Sequence, residues 1–216
     1  MPFDKKGILL KYRGLSTGHV SDVMERLGIQ SGVIHGLRPL SVSHSRFMGW
    51  AVTIKQVRVQ SRSPENLTKH AEVIDELASE DDVIVIDAGG KPDVCTGGAL
   101  LALRSKIRGI QGWVVDGSVR DANEIVELGF PVHCSGTSPV KSHLHLETAG
   151  INIPVEIRDI QIRPGDLIVA DATGIVAVPA ARAAEVLEAA SELKALEEQV
   201  EKKLYKGMSF KEATTN

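Results

Sequence analysis

The hexamer Asp116-Gly117-Ser118-Val119-Arg120-Asp121 sets an acid, a glycine and an adjacent cation and carboxylate directly after an apolar run, Gly112-Trp113-Val114-Val115. Such a run reads as a buried strand. On that reading Asp116 closes the strand, Gly117 takes backbone angles that a side chain penalises, and Arg120 and Asp121 open a helix over 122–128. The carboxyl ends of strands are where open α/β sheets bind ligands. An Arg beside an Asp suits a small anion held next to a divalent metal, because carboxylate is a hard oxygen ligand and guanidinium is a planar fork for carboxylate or enolate oxygens. The same acid also suits a plain helix N-terminus, where the helix dipole favours negative charge.

A second glycine turn, Asp87-Ala88-Gly89-Gly90, ends the apolar run over 83–87. Parallel neighbouring strands would bring both turns to one sheet edge. Thr96-Gly97-Gly98-Ala99 then starts a helix whose free backbone N–H groups suit a carboxylate. Tight turning and close packing account for the same glycines without a ligand.

The elements that must hold these residues alternate. Ser16 caps a helix that runs to about Leu27 and stops at Gly28, and Val52, Ile54, Val57 and Val59 mark a strand over 50–59. Leu67, Ala71, Val73, Ile74 and Leu77 are spaced for a helix over 64–77. Next come strand 83–87, helix 98–107, strand 112–116, helix 121–128 and strand 131–134, an alternation that implies parallel pairing. Beyond Pro139 short β runs follow at 155–157, 160–162, 167–170 and 175–178, separated by Arg163-Pro164-Gly165-Asp166 and Asp171-Ala172-Thr173-Gly174 turns. From 180 to about 206, Val186, Leu187, Ala190, Leu193, Leu196, Val200 and Leu204 form one helical stripe. A terminal helix of that length packs on something beyond its own compact core.

Composition narrows the function classes. With 216 residues and 43% hydrophobic content the chain can bury one sizeable core, and aromatics at 4% leave the packing to aliphatic side chains. The 25 basic and 28 acidic residues give a formal charge of −3 with no basic block, which argues against nucleic acid as a direct ligand. No apolar run approaches the roughly 20 residues that cross a bilayer, and Met1-Pro2-Phe3-Asp4-Lys5-Lys6 opens no secretory signal. Cys95 and Cys134 form neither a CxxC pair nor a disulfide framework, so the reading is a reducing, cytoplasmic location without membrane contact.

The hexamer, together with Asp22-Val23-Met24, Gly36-Leu37-Arg38-Pro39-Leu40, Arg46-Phe47-Met48-Gly49, Val85-Ile86-Asp87-Ala88-Gly89-Gly90, Leu128-Gly129-Phe130-Pro131-Val132 and Pro164-Gly165-Asp166-Leu167-Ile168-Val169-Ala170-Asp171, resembles the RraA-like family. That family includes the class II 4-hydroxy-4-methyl-2-oxoglutarate and 4-carboxy-4-hydroxy-2-oxoadipate aldolases and the ribonuclease E regulator RraA. The resemblance implies an α/β fold: one layered β/β/α, swivelling-type domain over 1–216, with an N-terminal helix and a long C-terminal helix over 180–206 packed on a neighbouring subunit. It implies a divalent-metal lyase that cleaves a small 2-oxo acid through a pyruvate enolate, with oxaloacetate decarboxylation as a companion activity and Mg2+ or Mn2+ as cofactor.

The roles that the resemblance carries over place Arg120 on the pyruvyl oxygen and Asp121 on the metal, with Gly98, Ala99, Leu100 and Leu101 giving backbone amides to the substrate carboxylate. The family's aldolases also have an acid 20 intervening residues before the Arg, and here that position is Ala99. Loss of that carboxylate bears on metal-bound water and on proton transfer. A further acid comes from a neighbour's C-terminal helix, with Glu197 the best match and Glu198 next, although a Glu-rich helix is also an ordinary solvated face. The implied assembly is a homotrimer or a hexamer with sites at subunit boundaries. The contrasting function is a non-catalytic regulator that binds a ribonuclease or another protein; regulators of that type commonly lack the Asp after Arg, which this chain keeps.

Other residues read as structural. His143 and His145 alternate as on one strand face but lack a third metal ligand, Cys95 lacks an adjacent base, Asp171 shapes its turn, and Trp50 and Trp113 belong to core or interface.

Overall fold

The computed structural model describes residues 4–30, 32–60, 65 and 67–215, so the opening Met1-Pro2-Phe3 and Pro64 lie outside the described residues. In chain order the elements are α1 (Lys5–Tyr12), α2 (Thr17–Arg26), β1 (Val33–Ile34), β2 (Arg38–Pro39), β3 (Phe47–Arg58), α3 (His70–Glu72, continued by a π-helical turn over Val73–Leu77), β4 (Asp82–Asp87), α4 (Ala99–Ile107), β5 (Gly112–Val119), α5 (Ala122–Glu127), β6 (Val132–Thr137), β7 (Leu146–Ile151), β8 (Val155–Ile157), β9 (Ile160–Ile162), β10 (Leu167–Ala170), β11 (Ile175–Val178), α6 (Ala183–Tyr205) and α7 (Phe210–Thr214).

Strands β3, β4, β5 and β6 pair in parallel at the centre of one nine-stranded sheet in the order β1-β11-β10-β3-β4-β5-β6-β2, with β7 added antiparallel to β3. Both faces of the parallel strands are covered, which is why they read as continuous apolar runs. Along β4, Val83 and Val85 pack with Val155, Ile157 and Ile162 of the separate β8–β9 hairpin, whereas Ile84 and Ile86 pack with Ile74, Ala102 and Ile125 of the helical layer. Hairpin, sheet and helices are therefore three layers, the β/β/α arrangement expected. At the other end of the sheet, Met48, Trp50, Leu167, Val169, Val176 and Val178 are roofed by Tyr12, Val20, Val23, Met24, Val186 and Leu193 of α1, α2 and α6.

Five expectations need correction. Asp116 does not close β5, because the strand continues to Val119; Gly117 is not in a left-handed conformation but lets Ala88 approach, since a Cβ there would lie 2.9 Å from the Ala88 Cβ. The helix foreseen over 64–77 begins at His70, because β7 holds the preceding residues: Thr148 N–H donates to the Leu67 carbonyl at 3.0 Å and Lys69 N–H to the Thr148 hydroxyl at 3.0 Å. His143 and His145 lie in a turn ahead of β7, where Leu144 has φ 71° and the Ser142 carbonyl takes the amides of His145 and Leu146 at 2.9 and 2.8 Å. The first half of α6 does not reach outward; Ala183, Val186, Leu187, Ala190 and Leu193 are part of this chain's own core.

Candidate active site

Strand β5 delivers the Arg-Asp pair. Its pairing with β4 aligns Asp87 with Asp116, so the turn at Gly89-Gly90 lies beside Asp116 at the end of β4, although β5 itself runs on through Gly117 without turning. Beyond that point the register with β6 shifts between Val115 and Ser118, and such irregularities re-aim the residues that follow. The segment before α4 lies along the end of β5: Cys95 bridges Ser118, Thr96 N–H donates to the Ser118 carbonyl at 2.7 Å, and Arg120 N–H donates to the Gly97 carbonyl at 3.0 Å. This added edge sets the start of α4 beside Arg120 and Asp121.

Gly98 is the N-cap of α4, and its missing side chain leaves room for the pair: a Cβ would stand 2.4 Å from Asp121 Oδ2 and 2.9 Å from Arg120 Cγ, so both side chains would have to shift. Asp121 is the N-cap of α5 with φ 54°, a left-handed conformation that Asp tolerates better than most side chains. Its carboxylate does not cap its own helix. Oδ2 instead accepts the Ala99 N–H at 3.1 Å, thereby capping α4, and lies 3.4 Å from Arg120 Nε. Strain of this kind recurs where function holds a side chain in place. The Arg120 and Asp121 side chains stay 44% and 38% exposed, open to a ligand.

Within the first turn of α4, Ala99 N–H is used by Asp121, and the N-cap residue Gly98 has no side chain to satisfy the others. Ala102 N–H bonds the Gly98 carbonyl, which leaves the Leu100 and Leu101 amides as the unsatisfied donors at the positive end of the dipole. Leu100 is 81% exposed, and Ala99 and Leu101 pack against the helical-layer core. The structure thus brings Gly98, Ala99, Leu100, Leu101, Arg120 and Asp121 together on one rim. Glu197 is apart from it within the chain: its Oε2 lies 2.9 Å from Nε2 of His19 on α2.

Neither Asp87 nor Asp93 takes the place of an acid at position 99. Asp87 is 2% exposed and spent on Lys55 Nζ at 2.6 Å and on the amides of Gly89 and Glu156 at 3.0 and 3.2 Å. Asp93 pairs with Arg58 on the surface. Asp116 is held by Arg158 Nε at 2.9 Å and by the Ser135 hydroxyl at 3.0 Å, and its carbonyl takes the amides of Ala88 and Gly90. These two buried acids tie the β8–β9 hairpin and the glycine turn to the sheet. Burial pushes the Cys95 thiol above its ordinary range, with the Arg120 charge pulling the other way, which suits a packed side chain more than a nucleophile. Asp171 takes the Thr17 amide and hydroxyl at 2.9 and 2.8 Å; burial alone would raise its pKa, and these bonds together with the Thr173 and Gly174 amides hold it below the usual carboxylate range.

The sequence reading missed that Asp121 caps the helix before it in the chain and that His19 meets Glu197. The Gly97-Gly98 pair signalled the first, since two small residues before a helix allow another side chain to reach its amides; the Ser16-x-x-His19 spacing was the only trace of the second.

A donor set can be judged from these contacts. Asp121 offers hard carboxylate oxygens on an exposed rim, which fits Mg2+ or Mn2+ bound through one carboxylate with water and ligand oxygens completing the shell. Among the described residues no three His, Cys, Asp or Glu side chains cluster as a ready-made cage. No described helix is long and apolar enough to cross a membrane.

Comparison with known proteins places the chain. The model of a family described as Aldolase/RraA matches residues 17–177. A Halalkalibacterium halodurans protein provisionally named 4-hydroxy-4-methyl-2-oxoglutarate aldolase is 33% identical over 190 residues, 88% of this chain and 85% of that one. An uncharacterised Pseudomonas syringae protein has the same fold with a TM-score of 0.86 at 26% identity, covering 97% of this chain and 98% of the other. A Streptomyces coelicolor protein described as an unusual member of the RNase ES inhibitor RraA family superposes with a TM-score of 0.80 at 29% identity, covering 92% and 97%.

Proposed function

The chain belongs to the RraA-like family, and from that premise we propose that it is a divalent-metal-dependent lyase that cleaves a carbon–carbon bond of a small 2-oxo acid through a pyruvate enolate. One observation carries this reading: Arg120, Asp121 and the free amides of Leu100 and Leu101 converge on one open rim, held there by Gly98. The amides receive the substrate carboxylate, as helix N-termini do. The Arg120 guanidinium donates to the 2-oxo oxygen and stabilises the negative charge that develops on it as the bond breaks. Asp121 would hold the Mg2+ or Mn2+ ion, which when bound would supply Lewis-acid polarisation of the oxo group. Ala99 N–H keeps the Asp121 carboxylate from rotating.

Retro-aldol cleavage of a 4-hydroxy-2-oxo acid also requires a base for the hydroxyl proton, and we assign that part to Glu197 of an adjacent subunit in a homotrimer or hexamer. Ala99 supplies no carboxylate. Decarboxylation of oxaloacetate yields the same enolate without deprotonating a hydroxyl, so it is the activity least affected by Ala99. A second reading, a non-catalytic binder of a ribonuclease or another protein, is favoured by Ala99 and by the exposed Leu100, Leu103 and Ile107 on α4.

The deciding experiment measures pyruvate release, coupled to lactate dehydrogenase, from 4-hydroxy-2-oxo acids and from oxaloacetate, with and without Mg2+ or Mn2+. Metal-dependent release by the wild type, reduced by about 100-fold or more in Asp121→Asn and Arg120→Lys without loss of folding, is the expected result. Absence of metal-dependent pyruvate from every substrate would sink the lyase reading in favour of the binder.

A further inference from the structure

We propose that His19 is the positioning residue for Glu197: it fixes one oxygen of that carboxylate and leaves the other to serve the neighbouring site. This inference rests on the lyase reading, in which Glu197 acts at an adjacent subunit's Asp121. The observation behind it is a chain of three contacts. Ser16 N–H points at His19 Nδ1 at 3.0 Å, the Ser16 hydroxyl lies 2.8 Å from the same nitrogen, and His19 Nε2 lies 2.9 Å from Glu197 Oε2. A backbone N–H can only donate, so Nδ1 holds the lone pair and the proton sits on Nε2. The imidazole therefore donates to Glu197, and its tautomer is dictated by the backbone behind it.

The platform is rigid. His19 N–H returns a bond to the Ser16 hydroxyl at 3.2 Å, closing a capping box in which His takes the place usually held by Glu or Gln. Thr17, next in the chain, is bolted to Asp171 through its amide and hydroxyl. The His19 side chain is 15% exposed while Glu197 is 56% exposed, so the ring is packed and the acid reaches outward from it. The rival acid Glu198 is taken instead by Lys194 at 3.6 Å along α6. An unrestrained Glu on a helix surface samples several rotamers, and a fixed donor removes that freedom from one acid of the pair only.

The test separates this role from a merely structural one. His19→Gln retains the capping-box contact at the third helical position but is too short to reach Glu197. The kcat for retro-aldol cleavage of a 4-hydroxy-2-oxo acid is expected to fall about tenfold, the scale of lost outer-sphere support, with KM, Tm and oxaloacetate decarboxylation little changed. In a Glu197→Gln background the same substitution should change kcat by less than about twofold, because the partner it positions is already gone. Nitrogen-15 NMR of the wild-type assembly should show Nε2 protonated, with a shift on Glu197→Gln. Wild-type kcat in His19→Gln, a tenfold loss that persists in the Glu197→Gln background, or a proton on Nδ1 would each overturn the positioning role alone. A wild-type protein that decarboxylates oxaloacetate but cleaves no 4-hydroxy-2-oxo acid would overturn this role alone, and one that releases no pyruvate from any substrate would overturn the lyase reading with it.

Discussion

Gly98 governs the geometry of the candidate rim at the scale of a single residue. Its missing side chain lets Asp121 Oδ2 reach the Ala99 amide, and a methyl group there would stand 2.4 Å from that oxygen and 3.1 Å from Arg120 Nε. The intruding group is an alanine Cβ fixed to the backbone, so the Arg120 and Asp121 side chains must yield. Gly98 has no positive φ, which means that Ala meets no backbone penalty there and the fold should tolerate it. Gly98→Ala is therefore expected to lower kcat/KM by about 100-fold, the effect of roughly 1 Å of misplacement, with Tm unchanged to within a few degrees. Steady-state pyruvate release and differential scanning calorimetry of the purified variant provide the comparison, and an active Gly98→Ala enzyme would dissociate this contact from the chemistry. The role of Gly98 was half legible beforehand: a glycine pair before a helix announces close approach, but the sequence does not say which side chain approaches.

Elements were legible where burial on two faces imposes a pattern and opaque where tertiary pairing overrides a local one. Val83 through Ile86 and Trp113 through Val115 read correctly as strands because each alternate residue has its own layer to fill, and the runs over 155–178 matched β8 to β11 because turn residues bracket them. The stretch before α3 misled because Leu67 fits a helical stripe, whereas Thr148 on β7 claims the backbone there. Helix α3 brings with it an acid sensitivity. His70 is fully buried, bonded to the Thr96 backbone, and has no partner at Nε2, and its burial lowers the pKa from 6.5 to about 4. The unfolded chain therefore takes up a proton as pH drops below 6.5 while the folded chain resists until about pH 4, so stability falls across that window as the pH is lowered. The loss amounts to about 3 kcal/mol by pH 4. Urea unfolding of wild type and His70→Leu at pH 7 and pH 4 should show a drop smaller by that amount in the variant; equal drops would assign the acid sensitivity to other groups.

At the scale of the whole molecule, α6 divides into a buried first half and an exposed second half. Over 23 residues it extends about 35 Å, and its buried side chains stop at Leu193. Beyond that point Leu196 is 56% exposed, Tyr205 84% and Phe210 of α7 71%, large apolar side chains left uncovered within the chain. On α4, Leu100, Leu103 and Ile107 are likewise uncovered beside the candidate rim. Two apolar surfaces on one chain fit an assembly in which the end of α6 crosses to an adjacent subunit and brings Glu197 toward its Asp121. The two halves of α6 then predict different truncation phenotypes. Ending the chain at Pro179 removes Val186, Leu187 and Leu193 from the core, each worth about 1.5–3 kcal/mol of burial, and should abolish folding. Ending it at Lys194 spares them, so that shortened protein should keep a cooperative thermal transition and, on the proposed function, lose with Glu197 the trimer or hexamer and retro-aldol activity. Sedimentation velocity and pyruvate release on the same preparations make the comparison. An active full-length monomer would exclude a shared site, because no second chain would then be present to supply the glutamate.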